Sequence, residues 1–160
     1  MTLSCNGLDD VVKLLDAKCP IVALGRGFSY GNARELALKI QETSHIPVQG
    51  MSTADYLHGP IAAVDEETRV LILAPNGTSR DGLKEAISKL RTITKHLIWI
   101  GDSSWEIDGE LSLQGSKIGS EQISTVLDSI LLQIIACKFA IKNGFNPDSP
   151  KGLTKVTLTT

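Results

Sequence analysis

The chain has 160 residues, 42% of them hydrophobic and 21% charged, with a formal net charge of -2; that describes one globular domain and leaves no room for a second complete core. Lys and Arg are scattered rather than clustered, so the electrostatic footprint of a nucleic-acid binder is missing, and no nucleic-acid partner is expected. Cys5, Cys19 and Cys137 are odd in number and widely spaced, against a disulfide framework or zinc site and for a reduced, cytoplasmic setting, while the N-terminus lacks a leader pattern and no run reaches the roughly 18 consecutive apolar residues of a membrane span.

In chain order, a helical pattern over Leu8 to Lys18 comes first. Pro20-Ile21-Val22-Ala23-Leu24-Gly25 then reads as a strand buried on both faces of a parallel sheet. A helix over Gly31 to Thr43 follows directly from the glycine turn, and Ile46-Pro47-Val48-Gln49-Gly50 is a weaker strand. Arg69 to Pro75 repeats the buried-strand pattern and leads through Asn76-Gly77-Thr78-Ser79 into a helix over Thr78 to Thr92, which those hydroxyls can cap. His96 to Gly101 is a further strand, and Ser116-Lys117-Ile118 a weak last one.

A long helix over Gln122 to Lys142 closes the pattern. It carries Ile123, Val126, Leu127, Ile130, Leu131, Ile134, Ile135, Phe139 and Ile141, more apolar surface than one groove on a sheet needs. Part of it is an interface, or the helix crosses the core. From about residue 146 the tail has Pro147, Pro150 and Gly152 and no helical period. Strands alternating with helices imply right-handed crossovers and a parallel sheet of four or five strands covered on both sides.

The glycine turn after the first strand is where an open α/β sheet receives phosphate, since free backbone N–H groups and a helix N-terminus attract an anion. Gly25, Gly27 and Ser29 are therefore candidates, against the alternative of a plain strand-to-helix turn. A dinucleotide fingerprint fails because position 30 is Tyr30 and His45 to Gly50 supplies no acidic residue for a ribose; a Walker loop fails for want of Gly-Lys-Ser or Gly-Lys-Thr. Thr78 and Ser79 form a second phosphate-compatible turn, or an ordinary cap.

Glu35, Lys39 and Glu42 share one helix face, opposite Ala33, Ala37 and Ile40. Such a stripe is a common surface pairing worth about 0.3 to 0.5 kcal/mol. Bordering the crevice at the strand ends, it would instead offer Glu42 as a base toward a carbon acid, with Lys39 holding it ionised or neutralising developing charge. His58, before Gly59-Pro60, is either structural or a proton carrier, imidazole being the side chain that exchanges protons near neutral pH.

These residues together resemble the sugar isomerase (SIS) family of phosphosugar-binding domains, most closely the C-terminal half of the isomerase domain of its aminotransferase members. The match runs in order and without gaps from Gly25-Arg26-Gly27 through Glu35, Lys39 and Glu42 to His58-Gly59-Pro60. It resumes in Ser149-Pro150-Lys151-Gly152-Leu153-Thr154-Lys155-Val156-Thr157, which looks like the family's C-terminal segment. The resemblance implies a flavodoxin-like three-layer α/β/α sandwich over 1–160 with an extended tail, a sugar-phosphate substrate such as fructose 6-phosphate, and no metal or organic cofactor. By it, Glu42 sits where the family has the base between C1 and C2. Glu35 and Lys39 match further site residues, Lys155 the tail lysine that contacts the open-chain sugar, and His58 the ring-opening histidine that reaches a neighbouring subunit. A homodimer or a second SIS half is then the implied partner, because the phosphate-holding first half and the glutaminase domain are absent from this sequence. Ala54-Asp55 replaces the family's Gly-Glu. The rival reading is a regulatory module that binds the sugar phosphate without turning it over.

Overall fold

The computed structural model describes residues 7–102 and 111–153. Within them, β1 (Ile21–Gly25), β2 (Val48–Ser52), β3 (Arg69–Ala74), β4 (Leu97–Gly101) and β5 (Leu111–Gln114) form one sheet in the order β2-β1-β3-β4-β5. Every pairing is parallel. The flavodoxin-like order expected from the sequence is the one observed, and it places a topological switch point between β1 and β3, where ligands of open α/β sheets bind.

Alternation along the strands divides the interior in two. Ile21, Ala23, Leu71, Leu73, Ile98, Ile100 and Leu113 face one side, packed under α1 (Leu8–Leu14), α2 (Ser29–Ser44) and α5 (Glu121–Lys142). Val22, Leu24, Val70, Ile72, Leu97 and Trp99 face the other, under α3 (Thr53–Tyr56) and α4 (Lys84–Arg91). α5 crosses the core, as one sequence expectation had it: Leu131, Leu132, Ile135, Ala136 and Phe139 are buried, while Ile123, Ile130, Ile141 and Val126, the last 69% exposed, face outward. By length and composition alone α5 is long and apolar enough to cross a bilayer, yet half of that stretch is buried inside the fold, as in a core helix.

Several boundaries differ from the sequence reading. β5 is Leu111–Gln114 rather than Ser116–Ile118, because Ser116 leaves the ladder to donate its N–H to the Asp128 carboxylate at 2.6 Å. α1 stops at Leu14 instead of Lys18: the Asp16 carboxylate captures the Lys18 N–H at 2.9 Å and the chain turns at Cys19. The helix expected over 78–92 starts as a 3-10 turn over Thr78–Leu83 and becomes α-helical only at Lys84. β2 begins two residues late, beyond Ile46 and Pro47, and two short elements follow it, α3 and a 3-10 turn over Pro60–Ala63.

Candidate functional site

β1 ends in a turn that only glycine fits. A Cβ on Gly25 would strike the Ser29 carbonyl, and Gly27 adopts φ +57 where its missing Cβ makes room for the Ser79 hydroxyl. Ser29, 2% exposed, seals this turn: its hydroxyl accepts the Arg26 N–H at 3.1 Å and lies within donating distance of the carbonyls of Arg26 (2.8 Å) and Leu73 (3.0 Å). The predicted ligand hydroxyl is spent inside the fold, tying the end of β1 to the end of β3.

The second predicted turn faces the first. Thr78 and Ser79 hold a carboxylate supplied by the chain itself: Glu121 Oε2 accepts from the Ser79 N–H at 3.3 Å and the Thr78 hydroxyl at 3.4 Å. Glu121 is 7% exposed, its Oε1 has no hydrogen-bond partner among the described residues, and its side chain fills the space a Cβ on Gly77 would take. Sequence reasoning missed this residue. A glutamate in the first turn of a helix is an ordinary complement to the helix dipole, and nothing local says that it reaches back 42 positions.

α2 carries the predicted charged stripe. Ala33, Leu36, Ala37 and Ile40 are its buried face, so Glu35, Lys39 and Glu42 stand at the boundary with solvent. Lys39 Nζ lies 2.6 Å from Glu42 Oε2, both side chains about one-third exposed (35% and 32%). That hydrogen bond, chiefly, raises the Lys39 pKa above the ordinary lysine value against the opposing effect of burial, and the charges of Glu42 and Glu35 add to it. Gln41 donates to the Val48 carbonyl at 3.0 Å and anchors the helix end to β2. Glu35 and Arg34 border a shallow cleft of about 340 Å³ over Gly31 and Gly50.

His58 lies elsewhere. It lies in the turn after the short α3, on the opposite face of the sheet from α2, exposed, with its backbone N–H on the Asp55 carbonyl at 3.1 Å. With Arg26, Asp81, Glu85 and Lys89 it lines a cleft of about 450 Å³. Glu85 there is held below the usual carboxylate range, first by its hydrogen bond to Lys89 at 2.9 Å and to a smaller degree by His58. The structure thus brings Glu35, Lys39 and Glu42 together and sets His58 apart from them. Lys155 lies outside the described residues.

A third cleft, of about 450 Å³, opens at the carboxyl ends of β3, β4 and β5, where Asn76, Asp102, Gln114 and Lys117 converge. Arg80 pairs with Asp102 across its rim at 3.2 Å. The sequence reading named neither residue, because their meeting depends on the β3–β4 adjacency rather than on any motif.

A family model described as "SIS domain" matches residues 13–142. The glutamine–fructose-6-phosphate aminotransferase (isomerizing) of Buchnera aphidicola is 31% identical over 154 residues, covering 96% of this chain and 25% of that protein. The chain spans about a quarter of the length of the curated relatives it matches. Among solved structures, the C-terminal domain of glucosamine-fructose-6-phosphate aminotransferase from Francisella tularensis superposes with a TM-score of 0.79 at 24% identity, over 89% of this chain and 41% of that one. A glucosamine-6-phosphate deaminase from Thermotoga maritima does so at 0.68 and 27%, over 92% and 44%.

Proposed function

For a chain that belongs to the SIS domain family, we propose the role of a phosphosugar isomerase unit, of the kind found in isomerising aminotransferases, acting on a ketose phosphate such as fructose 6-phosphate. Glu42 is its base. The carboxylate removes a proton from C1 of the open-chain ketose to leave an enediolate, and returning that proton to C2 gives the aldose. Lys39 is held as the cation chiefly by its hydrogen bond to this carboxylate, with a smaller contribution from the charge of Glu35, and offsets the negative charge that develops on the substrate oxygens. His58 opens the sugar ring and Lys155 steadies the open chain.

The observation that carries this reading is the 2.6 Å Lys39–Glu42 contact on a partly exposed helix face, a base and its counter-charge left open to a ligand. The relatives' names support the substrate class: aminotransferases of fructose 6-phosphate and a deaminase of glucosamine 6-phosphate. The placement of His58 on the other face supports a shared site, in which the histidine serves the Glu42 of a neighbouring copy or of a second SIS half.

The test is turnover of fructose 6-phosphate, with Glu42→Gln as the control. The variant removes the proton acceptor and little volume, so isomerisation is lost while affinity stays within about tenfold. Unchanged turnover sinks the assignment. A non-catalytic sugar-phosphate-binding module is the second reading, favoured by the same separation of Glu42 from His58 within one copy; saturable binding without turnover, in a sample shown to be paired, would establish it.

A further inference from the structure

The switch-point crevice is built as an anion cradle and is already filled by a carboxyl side chain of this chain. Two glycine turns meet there, at the ends of β1 and β3, and the group between them is the Glu121 carboxylate. Its Oε2 takes the Ser79 N–H and the Thr78 hydroxyl, the donors a phosphate would use. Its Oε1 points toward Gly27, 3.6 Å from where a Cβ there would stand, buried and without a partner.

Helix capping does not explain this glutamate. Ser120 already caps α5 by accepting the Ile123 N–H at 3.5 Å, whereas Glu121 reaches away from its own helix to a loop 42 residues earlier. Nor is it an ion pair, since no cation lies within salt-bridge distance of it among the described residues. A carboxyl group only 7% exposed, with one oxygen on two long hydrogen bonds and the other without a hydrogen-bond partner among the described residues, is costly unless its position itself is useful.

The geometry points to Glu121 as a built-in occupant that closes this cradle to phosphate, so that the unit holds no phosphate at its own switch point. The identity of the excluded anion rests on the sugar-phosphate reading above. The exclusion itself does not.

Titration of the full chain with inorganic phosphate, followed through the backbone amides of Gly27, Gly77 and Ser79, tests the inference. Wild type shows no saturable shift at these amides. Glu121→Ala shows one, with an affinity for phosphate raised about tenfold or more, because the same charge-assisted donors now face an open space. Should Glu121→Ala lose its cooperative melt, Glu121→Ser, whose short polar side chain suits a helix's first turn, takes its place. Saturable shifts in wild type overturn the inference, and so does a folded variant without any gain. Turnover plays no part in this measurement, so its failure leaves the isomerase reading standing, and loss of the isomerase reading leaves the occupied cradle in place.

Discussion

The two faces of the sheet are built unequally. On one, α2 and α5 run for 16 and 22 residues and bury a continuous core that also takes in α1. On the other, a four-residue α3, two 3-10 turns and an eight-residue α4 cover a smaller cluster around Tyr56, Leu83, Ile87 and Leu90. Glu42 belongs to the thick face and His58 to the thin one. A base that must meet a carbon atom within hydrogen-bond reach gains from a long, anchored helix. A histidine at the end of one helical turn is placed by its loop and by whatever packs against it.

The largest effect that would break this division is complementation. Glu42→Gln and His58→Asn should each lower turnover by about 10²–10⁴-fold. If the site is shared between two copies, mixing the variants should restore roughly a quarter of wild-type activity, since half of random pairs are mixed and each has one intact site. No recovery in a sample that exchanges subunits would place both residues in one copy's site.

Core truncation sharpens the contrast at the level of stability. Phe139→Ala, in α5, is expected to cost about 3–5 kcal/mol, and Leu90→Ala, in the smaller cluster of the thin face, about 2–3 kcal/mol, because a smaller side chain is removed from a smaller core. Denaturant midpoints for the pair measure this, and equal losses would remove the asymmetry.

A smaller, pH-dependent effect belongs to Asp128, which α5 buries against Ser116. Burial raises its pKa, and the Ser116 hydrogen bonds only partly oppose that. A carboxyl whose folded pKa lies above the unfolded one stabilises the fold at low pH and loses that contribution as pH rises from the ordinary carboxylate value through the raised one. Asp128→Asn keeps an acceptor for the Ser116 N–H and carries no charge, so it should gain on wild type through that window. A difference between melting temperatures that does not change with pH would remove burial as the cause.

The smallest effect is the Lys39–Glu42 pair itself. A double-mutant cycle on stability should return about 0.3–0.5 kcal/mol, far below the rate effect expected of Glu42 as the proposed base. A coupling several times larger would make the pair structural first.

What the sequence made legible follows from how local each signal is. β1, β3 and β4 are continuous apolar runs buried on both faces, and their pattern suffices. The edge strands carry half the signal: β2 has a single buried residue, Val48, and in β5 only Leu113 is buried. One was displaced by two residues and the other placed on a loop. The Glu35–Lys39–Glu42 face was legible because helical spacing is a local rule. Glu121 was not, since its partners lie in the loop after β3, 42 and 43 residues earlier, which only the β3-β4-β5 sheet order brings near. His58 stands out in the sequence before Gly59-Pro60, but the face of the sheet it occupies depends on the short α3, four residues without a period to read.

The Ser29 hydroxyl has one more consequence, in the exchange of backbone hydrogens. A loop at the mouth of a crevice usually opens on its own, far more easily than the sheet beneath it. Here the Arg26 amide is bound to a buried hydroxyl that also touches the Leu73 carbonyl near the end of β3, so it should exchange with heavy water at a rate set by the sheet rather than by the loop. The rim of the crevice is then a rigid edge, and a ligand meeting it has no loop to order there before it binds.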